Sequence, residues 1–92
     1  MKSNYQMLLE IKHWKPQQHM LITEDEANFI VSHFRIKDRS DIELQNLRDF
    51  VVLYYGTQVE KIDSAVRMDE MDKMSAITYM IDEEKYNRGM EV

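Results

Sequence analysis

The chain has 92 residues, no cysteine and a net charge of −5, and 43% of its residues are hydrophobic. A chain of this length forms a single domain, residues 1–92, around one core, and the lack of cysteine excludes disulfides and thiolate-bound zinc. Its two glycines and one proline provide too few turns for an all-β protein of many short strands. The longest apolar run, residues 50–55, is too short to cross a bilayer. We therefore expect a soluble, cytoplasmic and mainly helical domain.

The N-terminal segment fits two structures. Apolar residues between positions 5 and 14 recur at helical spacing and also alternate as in a strand, and Pro16 ends either element. We predict a short helix over residues 3–14, followed by an irregular link as far as Ile22. If residues 5–12 and 19–23 pair as a hairpin instead, the fold class becomes α+β.

A helix start is encoded at Thr23. The Thr23 hydroxyl is placed to cap the amide three residues later, and Glu26 is placed to bond back to the Thr23 amide. The acids at positions 24–26 also favour the positive end of a helix dipole. We predict a helix over residues 24–35 with four buried apolar residues: Ala27, Ile30, Val31 and Phe34.

A second capping box, Ser40 to Glu43, starts the next helix after a polar link. Apolar residues then follow three or four apart, which marks one face of a continuous helix. This face passes over Gly56, and a glycine inside a helix costs only about 1 kcal/mol relative to alanine. We predict one helix over residues 41–67, with a break at Gly56 as the alternative. The face consists of Leu44, Leu47, Val51, Tyr55, Val59, Ile62 and Val66.

The last helix is predicted to begin at an Asp69 cap and to end near Gly89, a residue suited to a left-handed terminator. Its apolar face consists of Met71, Met74, Ile77 and Ile81. Together with the preceding helix it forms an antiparallel hairpin. The predicted fold class is all-α, a small bundle of three or four helices built on this long hairpin.

No motif for catalysis is present in the sequence. His13, His19 and His33 do not share the spacing that places two metal ligands on one side of a helix. The carboxylates lack a complementary acid, base or nucleophile, and two glycines cannot build a phosphate-binding loop. We therefore expect no enzyme activity, no cofactor and no metal.

The charge distribution points to a protein partner. Residues 57–92 carry nine acidic against five basic residues, which would repel nucleic acid and attract a basic surface. We expect a non-enzymatic inhibitor, adaptor or regulator, of the kind that phages and mobile elements encode, that binds a basic or nucleic-acid-processing protein. The predicted contact residues are Glu60, Asp63, Met68, Asp69, Glu70, Asp72, Met80, Asp82, Glu83 and Glu84.

An oligomer is also expected. Phe50, Tyr54 and Tyr55 cover more of the helix circumference than one core face requires, and a helix that is apolar on several sides is buried on several sides. A domain this small is also only marginally stable without assistance. These three residues are therefore the predicted interface of a homodimer or higher homo-oligomer.

The alternative function is that of a helix-turn-helix DNA-binding regulator. Arg35, Lys37 and Arg39 stand between the two middle helices, where they would touch phosphates. Asp41 and Glu43 occupy the first turn of the helix that would read the bases, and their charge opposes DNA binding. DNA is therefore the weaker hypothesis.

Overall fold

The computed structural model describes residues 2–18, 21–60 and 64–91, apart from the side chains of Ser64 and Ala65. Within these ranges the chain forms no strand but four α-helices: α1 (Asn4–Glu10), α2 (Glu24–His33), α3 (Asp41–Val59) and α4 (Ser64–Asn87). The prediction of a small all-α bundle is confirmed. Residues 4–10 are helical, so they do not form the alternative hairpin; positions 19 and 20 of that hairpin lie outside the described residues.

α1 is shorter than predicted. It begins at Ser3, whose Oγ accepts a hydrogen bond from the Gln6 amide at 3.1 Å, and it ends at Glu10 instead of residue 14. After Glu10, backbone bonds between residues three apart tighten the chain into turns, and the last of these joins the Trp14 amide to the Ile11 carbonyl at 3.0 Å. This tightening brings the Trp14 ring to 5.5 Å from Phe29 of α2.

α2 begins as the sequence predicts. Thr23 and Glu26 form a complete capping box, with the Thr23 Oγ1 accepting from the Glu26 amide at 3.2 Å. The Glu26 carboxylate is buried and also accepts from the Gln17 amide at 2.9 Å, so it fastens the preceding link to the helix. Ile30 and Phe34 are fully buried, whereas the other two residues of the predicted face are partly buried.

A tight connection joins α2 to α3. Arg35 adopts a left-handed conformation with φ of 52°, and a 3-10 turn follows at Ile36–Asp38. Arg39 is buried and donates hydrogen bonds to the Phe34 carbonyl at 2.8 Å and to the Met7 sulfur at 3.4 Å. The predicted capping box between Ser40 and Glu43 then starts α3.

The predicted helix over residues 41–67 is wrong at its C-terminal end. α3 does continue through Gly56, but it ends at Val59, and α4 begins at Ser64. A straight helix of that length would be about 40 Å long, whereas the longest dimension of the molecule is 37 Å. Asp69 therefore lies inside α4 and does not cap it, and Val66 is exposed. Ile62, also part of the predicted face, lies outside the described residues.

The C-terminal end of α4 is a Schellman motif. Gly89 has φ of 78°, its amide donates to the Tyr86 carbonyl at 3.0 Å, and the Met90 amide donates to the Lys85 carbonyl at 2.9 Å. These bonds satisfy carbonyls that the helix end would otherwise leave unpaired. The prediction that Gly89 terminates the last helix is confirmed.

α3 and α4 pack side by side and run antiparallel. Three polar contacts fix their alignment: Asp41 with Arg88 at 3.0 Å, Gln45 with Lys85 at 2.6 Å, and Arg48 with Asp82 at 2.7 Å. Between these helices and α2 lies the core, whose largest fully buried side chains include Phe34, Leu44, Leu47, Ile77 and Ile81. No helix in the described part of the chain is long and apolar enough to cross a membrane.

Candidate partner-binding surface

The side of α4 that points away from α3 exposes large side chains. Tyr79 and Tyr86 are 60% and 75% exposed, Met68 is 60% exposed, and Met71 is also exposed. Because successive helical residues are about 100° apart, these residues and Ser75 all lie within about 60° of the direction of Met68. We call these five residues the α4 outer face. Exposed tyrosine and methionine are typical of protein contact surfaces.

A groove adjoins the α4 outer face. It has a volume of about 540 Å³ and lies between α4 and the link that precedes α2. The buried Ala76 is at its base, and the exposed side chains of Leu21 and Tyr79 border it. A cavity of this size is within the range of ligand pockets, so it is large enough to accept an apolar side chain from a partner. The other lining residues are Pro16, Gln18, Ile22, Met71, Asp72 and Ser75.

Four of the predicted acidic contact residues form ion pairs within the chain. Their pairs are Asp69 with Lys15 at 3.0 Å, Glu70 with Lys73 at 3.2 Å, Asp82 with Arg48 at 2.7 Å, and Glu84 with Arg88 at 2.8 Å. The carboxylates raise the pKa of Arg48 and of Arg88 through these hydrogen bonds. Asp69 and Asp82 therefore join α4 to other parts of the fold. Glu70 and Glu84 form local pairs along α4 itself. All four acids offer less negative potential to a partner.

The remaining predicted acids lie in different places. Glu60 is exposed at the end of α3, and Glu83 is exposed on α4 beside the outer face. Asp72 is partly exposed and lines the groove. Asp63 lies outside the described residues. The structure thus brings Asp72 and Glu83 close to the α4 outer face and places Glu60 elsewhere.

The predicted assignment of Met80 to the contact surface is wrong, because only 8% of this residue is exposed. Met80 lines a small cavity together with Ala27 and Val31, so it faces α2. The buried side of α4 is wider than the single apolar face in the sequence, since α4 packs against both α2 and α3. Met68, the other methionine assigned to this surface, is exposed.

Three residues were predicted at an oligomer interface, and one of them, Tyr55, does not lie on the surface. It is only 2% exposed and belongs to the monomer core, where burial raises the pKa of its phenol. Phe50 and Tyr54 are partly buried and pack against the core. Tyr54 is surrounded by rings, with centroids 6.0 Å from Tyr5 and 6.3 Å from Phe50.

The three basic residues of the DNA-binding hypothesis have different environments. Arg39 is buried, and burial lowers its pKa. Arg35 pairs with Asp38 at 3.6 Å, and Lys37 is exposed. Only two of the three side chains are therefore accessible to a phosphate.

The described histidines are part of the fold. His33 Nε2 lies 2.8 Å from the Met7 carbonyl, and its ring stacks on Phe29 at 5.5 Å, so it helps to join α1 to α2. His13 is exposed, and His19 lies outside the described residues. Among the described residues, no group of three or more histidine, aspartate or glutamate side chains could hold a metal ion.

The predicted contact residues do not include Leu21, Tyr79 or Tyr86. The two tyrosines are seven residues apart, and both lie off the apolar face of the last helix, which is a signal for a second, outward face. Leu21 had no such signal, since the predicted link around it was irregular. Its proximity to α4 depends on how that link folds back.

No protein-family model, curated protein or solved structure matches this chain. An all-α bundle also hosts many unrelated functions, so the fold alone does not indicate one. The function must therefore be inferred from the exposed side chains and their arrangement.

Proposed function

We propose that this chain is a non-enzymatic interaction protein, an inhibitor, adaptor or regulator, that binds a basic protein partner through the α4 outer face. One observation carries the proposal: Met68, Tyr79 and Tyr86 are largely exposed on one side of a helix whose other side is packed. Tyrosine and methionine are enriched at protein contact surfaces, and tyrosine is frequent among the few residues that contribute most of the binding energy. Leaving them in water has no advantage for the isolated fold.

The charge of this face favours a cationic partner. Asp72, Asp82 and Glu83 lie within about 60° of the direction of Met68, whereas every lysine and arginine from position 67 to 88 lies about 100° or more away. Asp82 is neutralised by Arg48, whereas Glu83 is exposed, so this side of α4 carries more acidic than basic side chains. Carboxylates around an apolar centre attract a partner with lysine or arginine next to apolar anchors. Nucleic-acid-processing proteins carry such surfaces, because they bind phosphates.

A synthetic amphipathic peptide of leucine and lysine is a suitable probe. We expect calorimetry to detect its binding to the intact chain, with weakening in high salt, and no binding of the matched leucine and glutamate peptide. The double variant Met71→Ser/Tyr79→Ser should bind at least about tenfold more weakly. The control is Ile42→Ser, which changes an apolar residue on α3 that is more exposed than Met71 or Tyr79. Equal affinity of the double variant and the control for the lysine peptide would refute the proposal.

The helix-turn-helix alternative has less support. Arg39 is engaged inside the fold, and Asp41 pairs with Arg88 at the start of the helix that would enter the groove of DNA. The test is an electrophoretic shift at low salt with the double reversal Arg35→Glu/Lys37→Glu, since reversal of Arg39 would damage the core. Specific retardation that disappears in this variant would favour DNA binding over the protein partner.

A further inference from the structure

A second exposed apolar surface lies on α1 and α3. Tyr5 and Leu9 of α1 are one helical turn apart and are 52% and 43% exposed, and Leu53 of α3 is 69% exposed. The edge of the Tyr5 ring contacts Tyr54, which stacks on Phe50. We call these five residues the α1/α3 patch.

The α1/α3 patch carries almost no charge. Gln6, Asn46 and Thr57, which are neutral, stand next to its members along α1 and α3, and Lys2 pairs with Glu10 at its edge. Asp49 is exposed one turn before Leu53 and adds one negative charge beside the patch, where it accepts a hydrogen bond from Gln45. Two copies of a chain with net charge −5 repel each other, and the repulsion is smallest where neutral surfaces meet. The acidic α4 outer face, by contrast, would repel a second copy.

We infer that the α1/α3 patch is the contact surface of a homodimer. A two-fold contact places the same patch on both copies, so the neutral apolar surface of one copy covers that of the other. The sequence also predicts an oligomer contact in this region, through Phe50, Tyr54 and Tyr55. Because Tyr55 is buried, the inferred contact does not include it and uses Tyr5, Leu9 and Leu53 in addition to the other two. The contact therefore uses both α1 and α3.

The size of the patch sets the strength of the dimer. Three partly exposed rings and two leucines offer roughly 400 Å² per copy. Both copies together would bury about 800 Å², less than the 1,200–2,000 Å² typical of stable complexes. The dimer is therefore weak and forms with rising protein concentration. A stable obligate dimer would not fit this surface.

The position of the patch has a consequence for partner binding. Leu53 points away from α4, because two buried residues of α3, Leu44 and Val51, are about half a turn round the helix from it. A dimer through the patch leaves both α4 outer faces accessible. If these faces bind a partner as proposed above, the dimer is bivalent, and it binds a partner with two sites more tightly than the monomer does.

Sedimentation velocity over a wide range of concentrations tests the dimer on the intact chain. Leu53→Glu adds a charge at the most exposed residue of the patch and should weaken dimerisation at least about tenfold. The matched control, Ile42→Glu, makes the same change at an exposed position of the same helix, about 16 Å away and outside the patch. Circular dichroism should show that both variants are as helical as the unmodified chain.

Each result decides the inference. Loss of the dimer in Leu53→Glu with retention in Ile42→Glu supports it. A chain that stays monomeric throughout, a Leu53→Glu variant that dimerises normally, or an equal loss in both variants overturns it; the last result would reflect general repulsion. Binding of the leucine and lysine peptide is measured on monomers, so failure of that test would remove the proposed function and leave the dimer intact.

Discussion

α2 and α4 distribute charged and apolar side chains differently. α2 exposes Glu24 and Asp25 in its first turn, and it buries Ile30 together with Glu26, whose carboxylate forms part of the cap. α4 buries Lys73 and Lys85, whereas Tyr79 and Tyr86 on its other side are exposed. Burial of an ammonium group is unfavourable without good acceptors. If the α4 outer face binds a partner as proposed, its exposed tyrosines serve that contact and not the stability of the fold.

The buried lysines of α4 have specific acceptors. Lys73 Nζ donates to the Lys12 carbonyl at 2.9 Å and to Glu70 at 3.2 Å, so it ties the end of the α1 region to α4. Lys85 Nζ donates to the Gln45 side-chain oxygen at 2.6 Å. Hydrogen bonds of buried lysines thus help to attach α4 to the rest of the fold, whereas apolar side chains attach α2.

The largest effect is expected in α2. Ile30→Ala removes a fully buried side chain from the core and should lower the free energy of unfolding by about 2–5 kcal/mol. Urea denaturation followed by circular dichroism measures this loss. A loss below about 1 kcal/mol would show that the core collapses round the cavity, and that α2 is less important for stability than its burial indicates.

A smaller effect is expected at Lys85. Lys85→Ala removes the donor to Gln45 and should cost about 1–3 kcal/mol, because the partly buried amide oxygen loses its partner. Lys85→Met keeps the packed stem without the charge and should recover part of this loss. If Lys85→Ala is as stable as the unmodified chain in the same denaturation experiment, the buried lysine is unimportant and the contrast between the helices weakens.

The α2 cap should contribute less again. Thr23→Ala removes the hydroxyl that accepts from the Glu26 amide and should lower stability by about 1 kcal/mol. Thr23→Ser, which retains the hydroxyl, is the control in thermal unfolding. Equal melting temperatures for the alanine and serine variants would mean that the capping box does not fix the start of α2.

The smallest effect is expected on the α4 outer face. Tyr86→Ser should change the free energy of unfolding by no more than about 0.5 kcal/mol, because most of the ring is in water. The same change at the buried Tyr55 serves as the comparison and should be much more damaging. A large loss in Tyr86→Ser would assign the ring a structural role and remove one reason for proposing a contact surface here.

Local signals explain which parts of the fold were predictable. The capping boxes at Thr23 and Ser40 and the terminator at Gly89 act within a few residues, so sequence alone located them. The end of α3 was not predictable in this way. It depends on the length of the core, and the apolar spacing continued as far as Val66 although that residue is exposed.

The candidate surface was harder to predict than the fold. Acid-rich composition drew attention to Asp82 and Glu84, but their ion pairs depend on Arg48 of another helix and on Arg88 one turn away. Met80 is buried because it faces α2, and the sequence of α4 does not show where α2 packs. Residue type alone could not separate charges that stabilise the fold from charges that face a partner.

Methionine-methyl NMR tests the central claim most directly, because the chain has reporters on both sides of α4. On titration with the leucine and lysine peptide, we expect the signals of Met68 and Met71 to shift, while those of the buried Met7 and Met80 stay in place. Shifts confined to the two outer methionines are the predicted result. Unchanged Met68 and Met71 signals, with or without shifts of the buried methionines, would contradict binding at the α4 outer face.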